Sequence, residues 1–190
     1  MRLFQKLFAQ IYDRMQRMEK KVLSRRQSLL GDLRKILEIS TVNFVYYDVD
    51  AQVIALEPSE YMRDKALAKN LGSHITMLPL TLDEALSDEQ VRSVDHIVCT
   101  LILCSIPELQ HSIDTCVSLL KPTLIVLEHI RSHNTVLRQT LFTPVQRCVC
   151  DGCHLNRTTD VILRKSDLEL VHEEYFGRWK TFYQVFQKPA

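Results

Sequence analysis

The spacing of apolar positions changes once along the chain, near Gly31. Before it, Leu3, Phe4, Leu7, Phe8, Ile11, Tyr12, Met15, Met18 and Val22 recur at three- and four-residue steps, with Lys, Arg and Gln between them. That period predicts an amphipathic helix. A second helical stretch over 22–31 ends at Gly31, because a glycine just past the last turn stops a helix. After it come short apolar runs at 35–39, 52–56, 75–78, 95–102 and 123–127. Runs of this length with few polar interruptions predict strands buried on both faces. Helical segments lie between them, at 59–71 with Ser59 placed to cap and at 107–120 with Pro107 suited to a first turn. Beyond Pro144 the pattern predicts a helix near 158–165, then strands at 168–172 and 181–186. These two read as an antiparallel pair at the sheet edge, joined by a loop containing Gly177.

Strand and helix alternate through the middle of the chain, which gives a parallel sheet with right-handed crossovers and helices on both faces. The length of 190 residues, without repeat or linker, fits one domain: an N-terminal helical segment over 1–31 and an α/β core over 35–190. A composition of 46% hydrophobic and 25% charged residues argues against a disordered or low-complexity chain. The longest nearly uncharged apolar stretch, 97–107, is about half of the roughly 20 residues a spanning helix needs. Arg2 and Lys6 break the apolar start, so a secretory signal is not expected and the location expected is cytoplasmic. The six cysteines (Cys99, Cys104, Cys116, Cys148, Cys150 and Cys153) then read as thiols in a reducing compartment. Charge is uneven, with +7 over residues 1–35 and −6 over the remainder. Such a basic segment is either a solvated helix face or one that meets an anionic surface.

In an open α/β sheet, ligands bind outside the carboxyl ends of the strands where the strand order reverses. The residues following the strands are therefore the candidates: Ser40, Thr41, Val42 and Asn43 after the first, Glu57 and Pro58 after the second, Asp83 and Glu84 after the third, and Cys99, Thr100 and Leu101 on the fourth. An acidic residue ending the second strand can accept two hydrogen bonds from a ribose diol, and Glu57 is in that position. A strand-end Glu can equally be a solvated or capping residue. The run Cys148-Val-Cys-Asp-Gly-Cys-His154 holds four potential soft ligands in seven residues. Packed into one local turn without a second distant pair, it does not have the spacing of a zinc site, and no metal is assigned. Ser-His-Asp order, a glycine-rich phosphate loop and nucleic-acid motifs are all lacking, so no nucleic-acid partner is expected.

Several segments then occur in order: Leu37-Glu-Ile39, Val53-Ile-Ala-Leu-Glu-Pro-Ser59 with Tyr61-Met-Arg63, Ser93-Val-Asp95, Val98-Cys-Thr-Leu-Ile-Leu-Cys-Ser105, Leu120-Lys-Pro122, Glu128-His129, and Asp151-Gly-Cys-His-Leu-Asn-Arg157 with Thr159. In this the chain resembles the class I S-adenosylmethionine-dependent methyltransferases, specifically the methyltransferase-like thiol methyltransferases and their bacterial relatives, from about Tyr12 to Phe186. The most specific pieces are Cys-Thr-Leu-x-Leu-Cys-Ser and Asp-Gly-Cys-x-Leu-x-Arg. The resemblance implies a Rossmann-like seven-stranded sheet, mostly parallel with an antiparallel C-terminal strand, and S-adenosyl-L-methionine across the ends of its first, second and fourth strands. By position, Glu57 with Pro58 would hold the ribose, Asp83 and Glu84 would lie near the adenine, and Ser40, Thr41 and Asn43 would border the amino-acid end. Cys99, Thr100 and Leu101 would form the floor, with plain strand core as the competing role for Cys99, Leu101 and Leu103. The acceptor pocket would be bordered by Tyr12 on the N-terminal helix, Cys104, Glu128, His129, Asp151 and Arg157.

The chain departs from that family where the first strand ends. Relatives carry a Gly-x-Gly-x-Gly loop there, whereas Ile39-Ser-Thr-Val-Asn-Phe44 is about three residues shorter and has no glycine. Glycine permits positive φ and close approach of backbone to a ligand, and the β-branched Val42 is poorly suited to either. The whole chain has only four glycines, where average usage would give about 13. The fold is expected to survive this change, with the hold on the amino-acid end of the cofactor weakened. Two readings of function follow: methyl transfer from S-adenosylmethionine to a small thiol or other lipophilic acceptor, or a catalytically inactive scaffold of the same fold. A monomer is expected.

Leu3, Phe4, Leu7, Phe8, Ile11 and Met15 form one apolar face flanked by Arg2, Lys6, Arg14 and Arg17. Peripheral attachment to an anionic membrane such as endoplasmic reticulum or lipid droplets would gain on the order of 1 kcal/mol per basic residue. Coverage of the cleft by the same face is preferred, because Tyr12 falls where the family covers its site. The double substitution Phe4→Glu with Phe8→Glu is accordingly expected to destabilise the domain, and the parent is expected not to pellet with anionic vesicles. Salt-sensitive pelleting of the parent, lost in a still-folded double mutant, would assign the face to lipid.

Overall fold

The computed structural model describes residues 26, 28–69, 72–176 and 181–189. The N-terminal helix expected over 1–22, with Tyr12, lies outside them, as does Gly177. A helix end is present at 28–30 and stops at Gly31, as expected.

All the expected strands form: β1 (Lys35–Ile39), β2 (Gln52–Leu56), β3 (Ile75–Leu78), β4 (His96–Thr100), β5 (Thr123–His129), β6 (Glu169–Phe176) and β7 (Thr181–Gln187). They make one seven-stranded sheet in the order β3-β2-β1-β4-β5-β7-β6. Strands β1 to β5 pair in parallel, and β7 runs antiparallel between β5 and β6. The order reverses between β1 and β4, which opens a crevice at their carboxyl ends.

The pleat divides the core in two. On one face Leu37, Ile39, Leu56, Ile97, Cys99, Leu124 and Val126 pack with Ile113 and Cys116 of helix α3 (Leu109–Leu119) and Leu163 of helix α5 (Thr159–Leu163). On the other, Ile36, Val53, Ala55, Val98, Ile125 and Leu127 pack with Leu30, Phe44, Tyr47 and Ala66, the last from helix α1 (Glu60–Leu67). Alternate residues serve opposite faces, which is why these strands read as nearly continuous apolar runs.

Local details differ from the expectations. Ser59 sits at the N-cap of α1, but its hydroxyl makes no capping bond and is buried without a partner. Helix α3 begins after Glu108, so Pro107 precedes the first turn rather than forming it. β4 stops at Thr100 because Leu101 turns to φ 53°, two residues before the end of its apolar run. The short helix α2 (Glu89–Arg92) is capped by Asp88, which accepts from the amides of Gln90 and Val91.

Helix α4 (Val136–Val149) was not expected at all. Its apolar residues Leu137, Leu141 and Val145 are exposed and its buried residues are Gln139 and Thr143, the reverse of the usual amphipathic pattern, and Pro144 lies inside it. Gln139 ties α4 to the sheet: its amide accepts from Ser132 N at 2.7 Å and donates to the carbonyls of Ile130 at 2.8 Å and Leu155 at 2.9 Å. Gln139→Leu would leave three main-chain groups without this partner in the interior. It is expected to destabilise the protein by about 2–4 kcal/mol, whereas exposed Leu137→Ala should cost less than about 0.5 kcal/mol; urea unfolding midpoints of the two variants provide the measurement.

Candidate functional site at the strand carboxyl ends

Where a parallel strand ends, the chain turns away from the ladder and its next amide groups need acceptors. After β1 the acceptor is Glu38, fully buried. One of its oxygens takes the amides of Val42 (3.1 Å) and Asn43 (3.1 Å), the Asn43 side-chain amide (3.0 Å) and the Ser40 hydroxyl (3.2 Å), and the other takes the Tyr47 hydroxyl. Asn43 continues the chain of bonds to Thr100 at the end of β4, its Nδ2 lying 2.9 Å from Thr100 Oγ1. Burial pushes Glu38 up to about 7 although five donors favour its anion, and the same burial, with Glu38 beside it, raises Tyr47. The glycine-free loop is thus closed on itself by a carboxylate. Its positive φ falls on Ser40, at 139°, and not on Val42.

A second buried carboxylate repeats the arrangement on β5, two strands away across β4. Glu128, at the end of β5 and 0% exposed, accepts from the amides of Ile102 (2.6 Å), Leu103 (2.7 Å) and Cys104 (3.2 Å). Burial raises it to about 7. Arg157 holds the same loop from the other side through the carbonyls of Leu103 and Ile106. Glu128 and Arg157, expected to border an acceptor pocket, spend their polar atoms shaping the loop over 101–106. Leu101, Asp151 and Gly152 all have positive φ, at 53°, 43° and 84°, so with Ser40 every positive φ among the described residues sits in a loop at this edge.

Glu57 behaves differently. It ends β2 with one oxygen accepting from Ser59 N at 3.0 Å, and no donor to its other oxygen is found among the described residues. Burial first, and the Asp151 carboxylate facing it, raise Glu57 to about 7, while the Ser59 amide and Arg63 act the other way. Arg63 donates to the carbonyls of Glu57 and Pro58, fixing the turn. A buried carboxylate with an unused oxygen at the crevice fits a diol donor. The amides of Val42 and Asn43 do not fit the amino-acid end of a cofactor, because Glu38 already holds them.

Of the remaining expected residues, Thr41 and Thr100 are buried beside the β1 loop, and Cys99 lies in the core against Cys116. Glu84 turns its carboxylate onto the amide and hydroxyl of Thr81, both at 2.8 Å, which lowers its pKa, and exposed Asp83 meets His111 at 2.9 Å. At the far end, Cys104 and Cys153 are buried with their sulfurs 3.4 Å apart, and His129 Nδ1 is 3.8 Å from Cys153 Sγ. The contact with Cys104, and then His129, pulls the Cys153 thiol down to about 5 against burial, and Cys104 moves the other way. Sequence spacing did not reveal this cluster, because its members are 25 and 24 residues apart along the chain.

No family model matches the chain. It is 26% identical over 182 residues to the thiol S-methyltransferase TMT1B of Rattus norvegicus, covering 89% of this chain and 75% of that one. To the thiol S-methyltransferase TMT1A of Homo sapiens it is 25% identical over 190 residues, covering 91% and 78%. Among solved structures it superimposes on an O-methyltransferase family protein from Burkholderia thailandensis with a TM-score of 0.70 at 15% identity, over 94% of this chain and 58% of that one. The N-methyltransferase NodS from Bradyrhizobium japonicum, solved with S-adenosyl-L-homocysteine, gives 0.63 at 18% identity, over 92% and 87%. With the strand order and the antiparallel β7, these likenesses show that the chain has the Rossmann-like fold of class I S-adenosylmethionine-dependent methyltransferases and is similar in sequence to thiol S-methyltransferases over most of its length.

Proposed function

We propose that the protein transfers a methyl group from S-adenosylmethionine to a small thiol. The observation that carries the reading is Glu57, a crevice carboxylate at the end of β2 with one oxygen not engaged by any described residue, in a chain similar to thiol S-methyltransferases over 89% of its length. When bound, the cofactor supplies an electrophilic methyl group on a sulfonium. Glu57 accepts the ribose hydroxyls, with Pro58 and Arg63 setting the turn that presents it. The closed β1 loop, packed by Glu38 and Asn43, bounds the crevice without lending its amides. Transfer to a thiolate needs little acid–base chemistry beyond deprotonation, so alignment and exclusion of water supply most of the rate.

This division of labour places affinity at the nucleoside end. Calorimetric titration should show S-adenosylhomocysteine binding at about one per chain, with adenosine within about tenfold of it. Glu57→Ala is expected to weaken both by at least about tenfold.

Binding should also depend on pH. Below about 7, free Glu57 holds a proton that must leave before it accepts both hydroxyls. Affinity is therefore expected to fall up to about tenfold per pH unit as pH drops below 7 and to level off above it. Glu57→Gln should flatten the profile.

Labelled methyl transfer to a panel of small thiols tests the activity. Absence of both binding at millimolar S-adenosylhomocysteine and transfer would favour the scaffold reading instead.

A further inference from the structure

The geometry points to a second site: we propose that Cys104, His129 and Cys153 bind one thiophilic divalent cation of the zinc class. Their ligand atoms all lie within 4.8 Å of one another. Two sulfurs held about 2.3 Å from a tetrahedral ion stand roughly 3.8 Å apart, and a sulfur and an imidazole nitrogen slightly closer. The observed 3.4 Å between the sulfurs and 3.8 Å from Cys153 Sγ to His129 Nδ1 are within a few tenths of an ångström of that geometry, and the remaining pair, Cys104 and His129, lies within 4.8 Å and closes by a turn of the imidazole.

The three ligands come from three segments: the loop after β4, the end of β5 and the loop after α4. Each segment is fixed by bonds that do not use the ligand atoms. Glu128 holds the amides over 102–104, the amide of His154 donates to the carbonyl of Cys104 at 2.8 Å, and Gly152 turns the loop at φ 84°. A preorganised ligand set loses little ordering entropy on binding. Glu128 is no competing ligand, since both its oxygens accept from amides, and its charge opposes that of Arg157 beside the cluster.

Charge selects the cation. Two buried thiolates, a neutral imidazole and a dication sum to zero, which burial tolerates; a monovalent ion would leave a net negative charge inside the protein. Sulfur and imidazole ligands disfavour magnesium and calcium, which prefer oxygen. Binding forms two metal–sulfur bonds as any thiol protons leave to solvent, with no change of oxidation state. The fourth position falls to water or an external thiol. Of the local run over 148–154, only Cys153 takes part: Cys148 is exposed, and Cys150, though buried in the same cluster, does not bring its sulfur into the group of converging ligand atoms. The inference stands independently of methyl transfer.

Cobalt added to the reduced, metal-free full chain provides the test. The expected result is one ion per chain, with thiolate-to-cobalt absorption in the near ultraviolet and tetrahedral bands in the visible, both abolished by zinc. X-ray absorption of the zinc-loaded chain should count two sulfurs near about 2.3 Å and one imidazole nitrogen near about 2.0 Å. Cys104→Ser and His129→Ala should each weaken cobalt binding at least about tenfold, while Cys148→Ser leaves it unchanged. A spectrum of six oxygen or nitrogen ligands, a shell of three or more sulfurs in thiol-free buffer, or binding lost in Cys148→Ser would overturn the assignment. So would a Cys104–Cys153 disulfide that forms equally fast with zinc present. The cobalt and absorption measurements use the unaltered chain, so a variant that fails to fold does not shelter the proposal.

Discussion

The main-chain amides released at the end of β1 have to find acceptors inside the protein, and the fold depends on how Glu38 meets that demand. A single buried carboxylate gathers two amides, a side-chain amide and two hydroxyls, and through Asn43 and Thr100 it joins the β1 loop to the end of β4. These are the two strands between which the sheet order reverses. The carboxylate gives up much of its own hydration to do this, which is why its protonation is shifted so far upward. The donors it satisfies would otherwise each be costly, so the carboxylate and the loop stabilise one another and neither is dispensable alone.

Glu128 solves the same problem for the loop after β4, with Arg157 supplying donors to the carbonyls that Glu128 cannot serve. Once amides and carbonyls are held this firmly, residues other than glycine can be kept at positive φ. Ser40, Leu101 and Asp151 occupy such conformations, each at a cost of order 1–3 kcal/mol that only a surrounding network can sustain. The scarcity of glycine and the presence of two buried glutamates at the ends of β1 and β5, on either side of β4, are therefore connected.

Most of the sheet was legible because its strands are buried on both faces and appear as unbroken apolar runs. Helix α4 was not, because a polar pair, Gln139 and Thr143, faces inward and the apolar residues face out. Glu57 could be singled out from its position at the end of β2 alone. Glu38 and Glu128 could not be assigned their tasks, since the bonds that define them join residues that only the folded loops bring together. The Cys104, His129 and Cys153 cluster was hidden for a similar reason: the local cysteine run drew attention to neighbours in sequence, whereas the sulfur nearest Cys153 comes from the loop after β4.

Closure of the β1 loop on Glu38 limits what the crevice can offer, as its donors show. A main-chain amide can serve a buried carboxylate or a ligand, and at Val42 and Asn43 the carboxylate has both. The groups at the crevice that the β1 loop does not engage then lie outward from the sheet centre, with Glu57 on one side and the cysteine–histidine cluster on the other. Between them lie Asp151 and Gly152, whose turn sets the Asp151 carboxylate toward Glu57 and places Cys153 against Cys104. One loop after α4 thus governs both ends of the crevice. The position of that loop rests in turn on Gln139, the polar side chain through which α4 is bonded to the carbonyl of Leu155.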